Sequence, residues 1–376
     1  MTGGGSPSGS ETSGAGSGPA AGRMFGIGIV GAGVISATHA AAVAALPDAR
    51  ITAVTDVDPG RAHAFAAEHG AAAEPSLAAL LARDDVDVVA VCVPSGLHAE
   101  IGVRAAAAGK HLIVEKPIDV SLAAADRLIA AAGAAGVALT VISQHRFDPG
   151  LVRLRELADG GRLGRLLLGE ASTKWFRSQG YYDSAAWRGT WAMDGGSLLN
   201  QGIHYVDLLS WIMGPVAEVS AVYATENHEI EVEDTALAVV RFGSGAVGTI
   251  TSSTVVFPGF AQRLEISGTS GTAIIEDGVL AHLGLRAETP DPGLRGRREH
   301  LGAALPDAAA QAAAIGVASH AAQIADLLAA VAQGRPPAVT GSDGRATLEI
   351  ICAVYESART GQPVALGAGA APAPAR

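Results

Sequence analysis

The feature that most limits what this chain can fold into is a buried strand that runs straight into glycine. Phe25–Val30 (FGIGIV) is an unbroken apolar run, and Gly31-Ala32-Gly33 follows at once, leading into an alanine-rich segment of helical length up to Leu46. An apolar run without polar alternation marks a strand covered on both faces. The pattern then repeats. Apolar runs at Ile51–Thr55, Val86–Val93, His111–Val114 and Val137–Ile142 alternate with helical segments at Arg61–His69, Ser76–Ala82, Leu97–Ala108 and Ser121–Ala135. Strands that alternate with helices build a parallel sheet with helices on both faces. Residues 24–145 are therefore expected to form an α/β, doubly wound parallel sheet of the Rossmann type.

Two glycine frames fit a dinucleotide fingerprint. Gly26-x-Gly28-x-x-Gly31 matches GxGxxG by letter but places the phosphate turn inside the first strand. Gly31-x-Gly33-x-x-Ser36 follows a strand and opens a helix, the context that phosphate binding at a helix N-terminus requires. Gly31, Gly33, Val34 and Ile35 are thus the expected phosphate turn. Asp56 ends the second strand 25 residues after Gly31, where a carboxylate can accept hydrogen bonds from a ribose. No arginine is adjacent in sequence to hold a 2′-phosphate, so NAD is favoured over NADP; the competing reading of Asp56 is a solvated turn acid.

Ligands of such sheets bind beyond the carboxyl ends of the strands. Two of those ends carry chemistry: Pro94-Ser95-Gly96-Leu97-His98, and Glu115-Lys116-Pro117 after the buried run Leu112–Val114. Pro94, Ser95, His98, Glu115 and Lys116 are accordingly expected beside the cofactor, with His98 supporting the loop rather than reacting. A charged pair closing a core strand makes sense if it faces a crevice. The chain holds three lysines, Lys110, Lys116 and Lys174, against 23 arginines. A lysine kept against that bias suggests a need for a compact, titratable ammonium.

After residue 145 the pattern changes. Arg165–Thr173, Val216–Ala224, Thr235–Phe242, Ala246–Val255, Arg263–Ser267 and Ala273–Glu276 read as strands, with hairpin signals at 243–245 and 268–271. Residues 146–366 are expected to form a C-terminal α+β substrate-binding and oligomerisation domain around a large, mostly antiparallel sheet, closed by helices Ser319–Gln333 and Gly344–Thr360. Residues 1–23 and 367–376, rich in Gly, Ser, Pro and Ala, are expected to be disordered tails, with Met24 a candidate start. A net charge of −11 and a pI near 5.4 argue against nucleic acid or an anionic membrane surface as partner. Cys92 and Cys352 form no CxxC or metal spacing, which fits a reduced, cytoplasmic protein without a metal.

The segment Gly195–Met213 has helical periodicity, and Asn200, His204 and Asp207 share one face of it. Such a polar stripe on an apolar helix is costly unless it lines a wet pocket. Gln144, His145 and Arg146 follow the last Rossmann strand and are expected on the substrate side. Tyr181, Tyr182, Trp187 and Arg188 read either as a lid over a sugar or an anionic group, or as interdomain packing. Asp207 reads as support for the site or as a solvated helix position.

The motifs GAGVIS (31–36), PSGLH (94–98), GKHLIVEKP (109–117), QHRF (144–147) and GGSLLNQGIHYVDLL (195–209) resemble the glucose–fructose oxidoreductase / inositol dehydrogenase (Gfo/Idh/MocA) family. The resemblance spans nearly all of Met24 to Leu366. YYDSAAWRGTW (181–191) followed by NQGIH is most similar to members that oxidise C3 of UDP-N-acetylglucosaminuronic acid. It implies NAD-dependent hydride transfer at a secondary hydroxyl of a sugar, cyclitol or nucleotide sugar, in a homodimer or homotetramer. Lys116 would hydrogen-bond the reacting oxygen and His204 would take its proton. Many relatives carry aspartate where this chain has Asn200; an amide is no base, but it can orient an imidazole or bind a substrate hydroxyl. Two alternatives share the fold: a glycosidase that oxidises C3 transiently, and a nicotinamide-responsive protein without turnover.

Overall fold

The computed structural model describes Met1, residues 23–286 and residues 316–367. The two expected tails therefore lie almost wholly outside the described residues.

Strand β1 (Phe25–Val30) is buried along its whole length, as an unbroken apolar run requires. It pairs in parallel with β2 (Ala49–Thr55) and β4 (Val88–Val91), and β3 (Ala72–Ala73), β5 (His111–Val114) and β6 (Leu139–Val141) complete a six-stranded sheet of order β3-β2-β1-β4-β5-β6. The crossovers are α1 (Val34–Ala44), α2 (Pro59–His69), α3 (Leu77–Leu81), α4 (His98–Ala107) and α5 (Leu122–Ala135). Strand order reverses between β1 and β4, so the crevice of a doubly wound sheet opens at their carboxyl ends.

The second half contains α6 (Pro149–Asp159), β7 (Leu166–Lys174), α7 (Gln179–Asp183), α8 (Ile203–Met213), β8 (Val216–Ala224), β9 (Thr235–Phe242), β10 (Val247–Ser253), β11 (Arg263–Gly268), β12 (Gly271–Glu276), β13 (Val279–Leu285), α9 (Val317–Gln333), α10 (Gly341–Thr360) and β14 (Val364–Ala365). Its strands form an eight-stranded sheet, β13-β12-β11-β7-β10-β9-β8-β14, antiparallel except between β7 and β10. Burial alternates along β9, so one face packs inward and the other is open. The inner face receives α8 closely: a Cβ on Gly169 would fall 2.7 Å from Leu209. Val222, Leu237, Val239 and Val247 stand exposed, the first three on neighbouring strands β8 and β9.

Packing crosses the expected boundary near residue 145. Helix α9, from beyond it, packs Ala321, Ile324, Leu327 and Leu328 with Phe25, Ile27 and Ile29 of β1. Its Gln323 accepts from the Ser143 backbone and donates to the Val141 carbonyl and to Thr140, fastening α9 to the end of β6.

Candidate active site

The glycine turn adopts the frame that begins at Gly31. Gly31 has φ +97°, and a Cβ there would sit 2.4 Å from the Cys92 carbonyl, so only glycine fits. Gly33 is the N-cap of α1, and nothing lies within 4 Å of where its Cβ would be. The first turn of α1 has no side-chain cap and no acidic residue, and Val34 is 84% exposed. Free N–H groups facing an open cradle suit a pyrophosphate.

Asp56 is not a solvated turn acid. Its side chain is 7% exposed and accepts from the Ala32 and Asp58 backbones, at 2.7 and 2.8 Å, which ties the glycine turn to the end of β2. No arginine is adjacent in sequence, but the fold brings Arg61 to 3.0 Å from this carboxylate. Asp56 therefore both holds the glycine turn and pairs with the Arg61 guanidinium. Asp56→Ala should weaken NAD binding roughly tenfold or more, the scale of a lost charge-assisted hydrogen bond. It should weaken NADP binding less, because Arg61 is released; calorimetric titration of both cofactors checks this, and an unchanged ratio would remove Asp56 from cofactor choice.

The two charges of Glu115-Lys116 do not face one crevice. Glu115 is 5% exposed and turned inward to His39, at 2.8 Å, with His320 at 4.0 Å from the same oxygen. Burial opposes charge on both partners, but the contact with Glu115 helps to raise the His39 pKa, and the same contact lowers that of Glu115. These three side chains bring possible ligand atoms within 4.8 Å of one another, a grouping invisible in sequence because three separate elements supply it. His39 and Glu115 stand at ion-pair distance within this cluster.

Lys116, whose bond to Pro117 is cis, takes the other direction. Its Nζ donates to the Asn200 carbonyl at 2.9 Å and to Asn200 Oδ1 at 3.0 Å. Asn200 Nδ2 in turn donates to Asp194 at 2.5 Å, and Asp194 also accepts from the Gly189 backbone. Asn200 thus orients the lysine, not the imidazole. Asp194, buried and overlooked in the sequence, supplies a carboxylate one hydrogen bond beyond the amide.

The expected single helix from 195 is broken by a π turn at Leu198–Gly202 before α8 begins. Two glycines allow this packing: a Cβ on Gly196 would meet Glu233 at 1.8 Å, and one on Gly202 would meet Ser252 at 2.8 Å. Lysine bonding to a carbonyl within that turn fits the habit of π turns to occur at sites with work to do. Even so, Lys116, His204 and Asp207 line one narrow cavity, with Ile142, Ile203 and Thr347 among its walls. His204 faces His145 with ring centroids 5.1 Å apart. Burial lowers the Lys116 pKa, opposed by Glu115 and Asp194. Burial, then the neighbouring His145 and Lys116, holds His204 well below 6.5, so its imidazole is neutral at physiological pH.

Comparison with known proteins agrees with this geometry. Residues 25–143 match the oxidoreductase family with an NAD-binding Rossmann fold, and residues 151–274 match the GFO/IDH/MocA C-terminal domain. The WlbA dehydrogenase of Bordetella pertussis, solved with NADH and UDP-GlcNAcA, superposes with a TM-score of 0.83 at 32% identity, covering 93% of this chain and 100% of that one. The chain belongs to the Gfo/Idh/MocA family. GenD2 from gentamicin A biosynthesis, solved with NAD, has a TM-score of 0.78 at 27% identity, covering 92% and 97% of the two chains. The myo-inositol 2-dehydrogenase of Thermotoga maritima is 29% identical over 86% of this chain and 92% of its own. As a Gfo/Idh/MocA member, the protein is an NAD-binding oxidoreductase that acts on a sugar, cyclitol or nucleotide sugar. No helix among the described residues is long and apolar enough to cross a membrane.

The remaining candidates are placed unevenly in this Gfo/Idh/MocA chain. His98 is buried, its ring nitrogens 2.7 and 2.9 Å from the Pro117 and Val93 carbonyls, and it braces the two strand ends bearing Pro94, Ser95 and Lys116. Arg146 is 9% exposed; its guanidinium grips both oxygens of Asp207 at 2.8 and 2.6 Å and reaches Asp343 at 3.0 Å. It is an internal tie rather than an open substrate ligand, and Asp207 is correspondingly not solvated. Gln144 is 2% exposed with Oε1 unpartnered. Tyr182 is buried against His228 and bonds Thr254 at 2.9 Å, whereas Tyr181, Trp187 and Arg188 are half-buried, and none of the four lines the cavity of Lys116 and His204. Lys110 has a structural use, donating to the Arg83 and Val86 carbonyls.

Proposed function

We propose that this protein transfers hydride between a secondary ring hydroxyl, at C3 of a sugar or nucleotide sugar, and NAD, with Lys116 and His204 acting on the same oxygen. The observation that carries the reading is that both side chains reach one narrow cavity, with room for about a single water, at the carboxyl end of the Rossmann sheet. The relative WlbA, solved with NADH and UDP-GlcNAcA, supports the nucleotide-sugar class, and motif resemblance supports C3.

The glycine turn at 31–35 and Asp56 would hold NAD, which supplies the hydride acceptor when bound. The chain's own residues handle the proton. A hydroxyl whose carbon loses hydride must shed its proton in the same event, so a base has to stand within hydrogen-bond reach. Neutral His204 has a vacant ring nitrogen for that task. Lys116 commits two N–H groups to Asn200, which leaves one for the reacting oxygen. An ammonium fixed there stabilises negative charge as it develops in a water-poor crevice. Asp194, through Asn200, balances the lysine's charge without touching that oxygen.

The test is a panel of sugars, inositols and UDP-sugars followed by absorbance of NADH. Net NADH with an oxidised, intact ring is the expected product. Release of a free sugar without net NADH would favour the glycosidase alternative, and silence across the panel with NAD bound would favour the non-catalytic one.

A further inference from the structure

Glu233, just before β9, is a buried acid that the hydride-transfer reading leaves unused. It is 0% exposed, and among the described residues no cation stands at ion-pair distance from it. Its Oε1 accepts from the Leu198 backbone at 2.8 Å and from the Tyr355 hydroxyl of α10 at 3.1 Å, while Oε2 is buried without a partner. The next residue, Asp234, faces elsewhere: it accepts from the Glu226 and Asn227 backbones and meets His228 at 3.2 Å. Burying a carboxylate without a cation costs stability that an apolar side chain of similar size would not.

What Glu233 holds is the entry to the π turn. The first amides of a helical segment have no partner within it. Here two successive ones end on a single residue: the Ser197 N–H on the Glu233 carbonyl at 2.9 Å, and the Leu198 N–H on its carboxylate. Gly196 lies so close that a Cβ there would meet Oε2 at 1.8 Å. The Gly196 carbonyl accepts the Asn200 N–H at 2.9 Å, and Asn200 offers its own carbonyl and Oδ1 to Lys116. Hydrogen bonds thus run without a break from Glu233, through one irregular turn, to the ammonium at the reacting end of the site.

We propose that Glu233, braced by Tyr355, is a positioning residue for hydride transfer: it fixes the π turn from which Asn200 holds Lys116. This rests on the hydride-transfer reading and adds to it a group that touches neither substrate nor cofactor. The titratable groups facing Glu233 are Asp234, adjacent in the chain, and Tyr355, which burial keeps a neutral donor. Burial pushes the Glu233 pKa up to about 7, opposed by the Leu198 and Tyr355 donors. An ionised carboxylate holds an N–H roughly twice as strongly as a neutral acid does. Turnover should therefore rise as pH rises through about 7, apart from the His204 limb, which lies well below 6.5.

Glu233→Gln keeps an acceptor for Leu198 but cannot ionise, and Glu233→Ala removes the acceptor. The alanine variant should lose roughly 10–100-fold in kcat, the scale of a lost hydrogen bond to a charged group, with calorimetric NAD affinity unchanged. The glutamine variant should match the parent on the acid side of about 7 and lack the rise. Tyr355→Phe, which removes a donor that favours the ionised form, should move the rise to higher pH and serves if the alanine variant does not fold. No rise in the parent, or one at the same pH in the glutamine and phenylalanine variants, overturns the proposal. If nothing yields NADH, the hydride reading fails by itself, and NMR of protein with lysine isotopically labelled at Cε decides the positioning role. The chain then gives three signals, from Lys110, Lys116 and Lys174, and Lys116→Met identifies the one to follow. A step in that signal at pH about 7 that Glu233→Gln abolishes upholds the role; no step, or the same step in the glutamine variant, overturns it.

Discussion

Lys116→Met should lower kcat at least ~100-fold while NAD still binds, and His204→Ala should do the same, the usual scale for losing a proton-transfer partner. The lysine change removes the ammonium that Asn200 holds by two oxygens, leaving Asp194 without the cation that offsets it. The histidine change removes a neutral ring, so no buried charge is stranded and the fold should survive it. The pH behaviour distinguishes the two. Because the folded His204 pKa lies well below 6.5, the acid limb of kcat/KM due to this group should also lie well below 6.5. The sign for stability follows: the unfolded chain takes up a proton below pH 6.5 that the folded one refuses. The His204 contribution is therefore complete above that pH and is lost as pH falls toward the folded value. His204→Ala should thus be less acid-sensitive in thermal melts than the unsubstituted protein. Near-full turnover by either variant with the true substrate would end the assignment of roles.

Periodicity made the strands readable. Phe25–Val30 and His111–Val114 begin and end where unbroken apolar runs say, because a strand buried on both faces leaves no room for another pattern. Helix α6 was missed although Asp148-Pro149 and Leu151, Leu154 and Leu157 mark its start and its buried stripe. Strand β13 was missed too, behind an Asp277-Gly278 turn with φ of 44° and 79°. Those signals were present. The π turn at Leu198–Gly202 is different, since α-helical spacing is intact there and only Glu233, Ser252 and Lys116, distant in sequence, shape it. The same holds for the site's charges. Lys116 and His204 stood out as residue types at strand and helix positions, but nothing local pairs Glu115 with His39, Asn200 with Asp194, or Arg146 with Asp207.

That last pair should give the largest effect on stability. Arg146 leaves the end of β6, Asp207 lies one turn beyond His204 on α8, and Asp343 and Thr347 of α10 join them. Three elements are thereby pinned beside the His204 imidazole, and both members of the central pair are under 10% exposed. Removing Asp207 leaves the buried Arg146 guanidinium with Asp343 alone to offset it. Asp207→Ala should therefore lower unfolding free energy by about 3–5 kcal/mol, a fall in apparent Tm of roughly 6–20 °C for a domain of this size. Arg146→Met combined with Asp207→Leu removes both members of the buried pair and leaves only Asp343, which is part-exposed and bonded to Thr340, so the double variant should be more stable than Asp207→Ala alone. Its kcat reports something else: if the ion pair serves His204 by fixing α8, the double variant should melt near the unsubstituted protein yet turn over more slowly. Single variants within about 1 kcal/mol of the parent would mean that water reaches the pair, as it does at surface ion pairs.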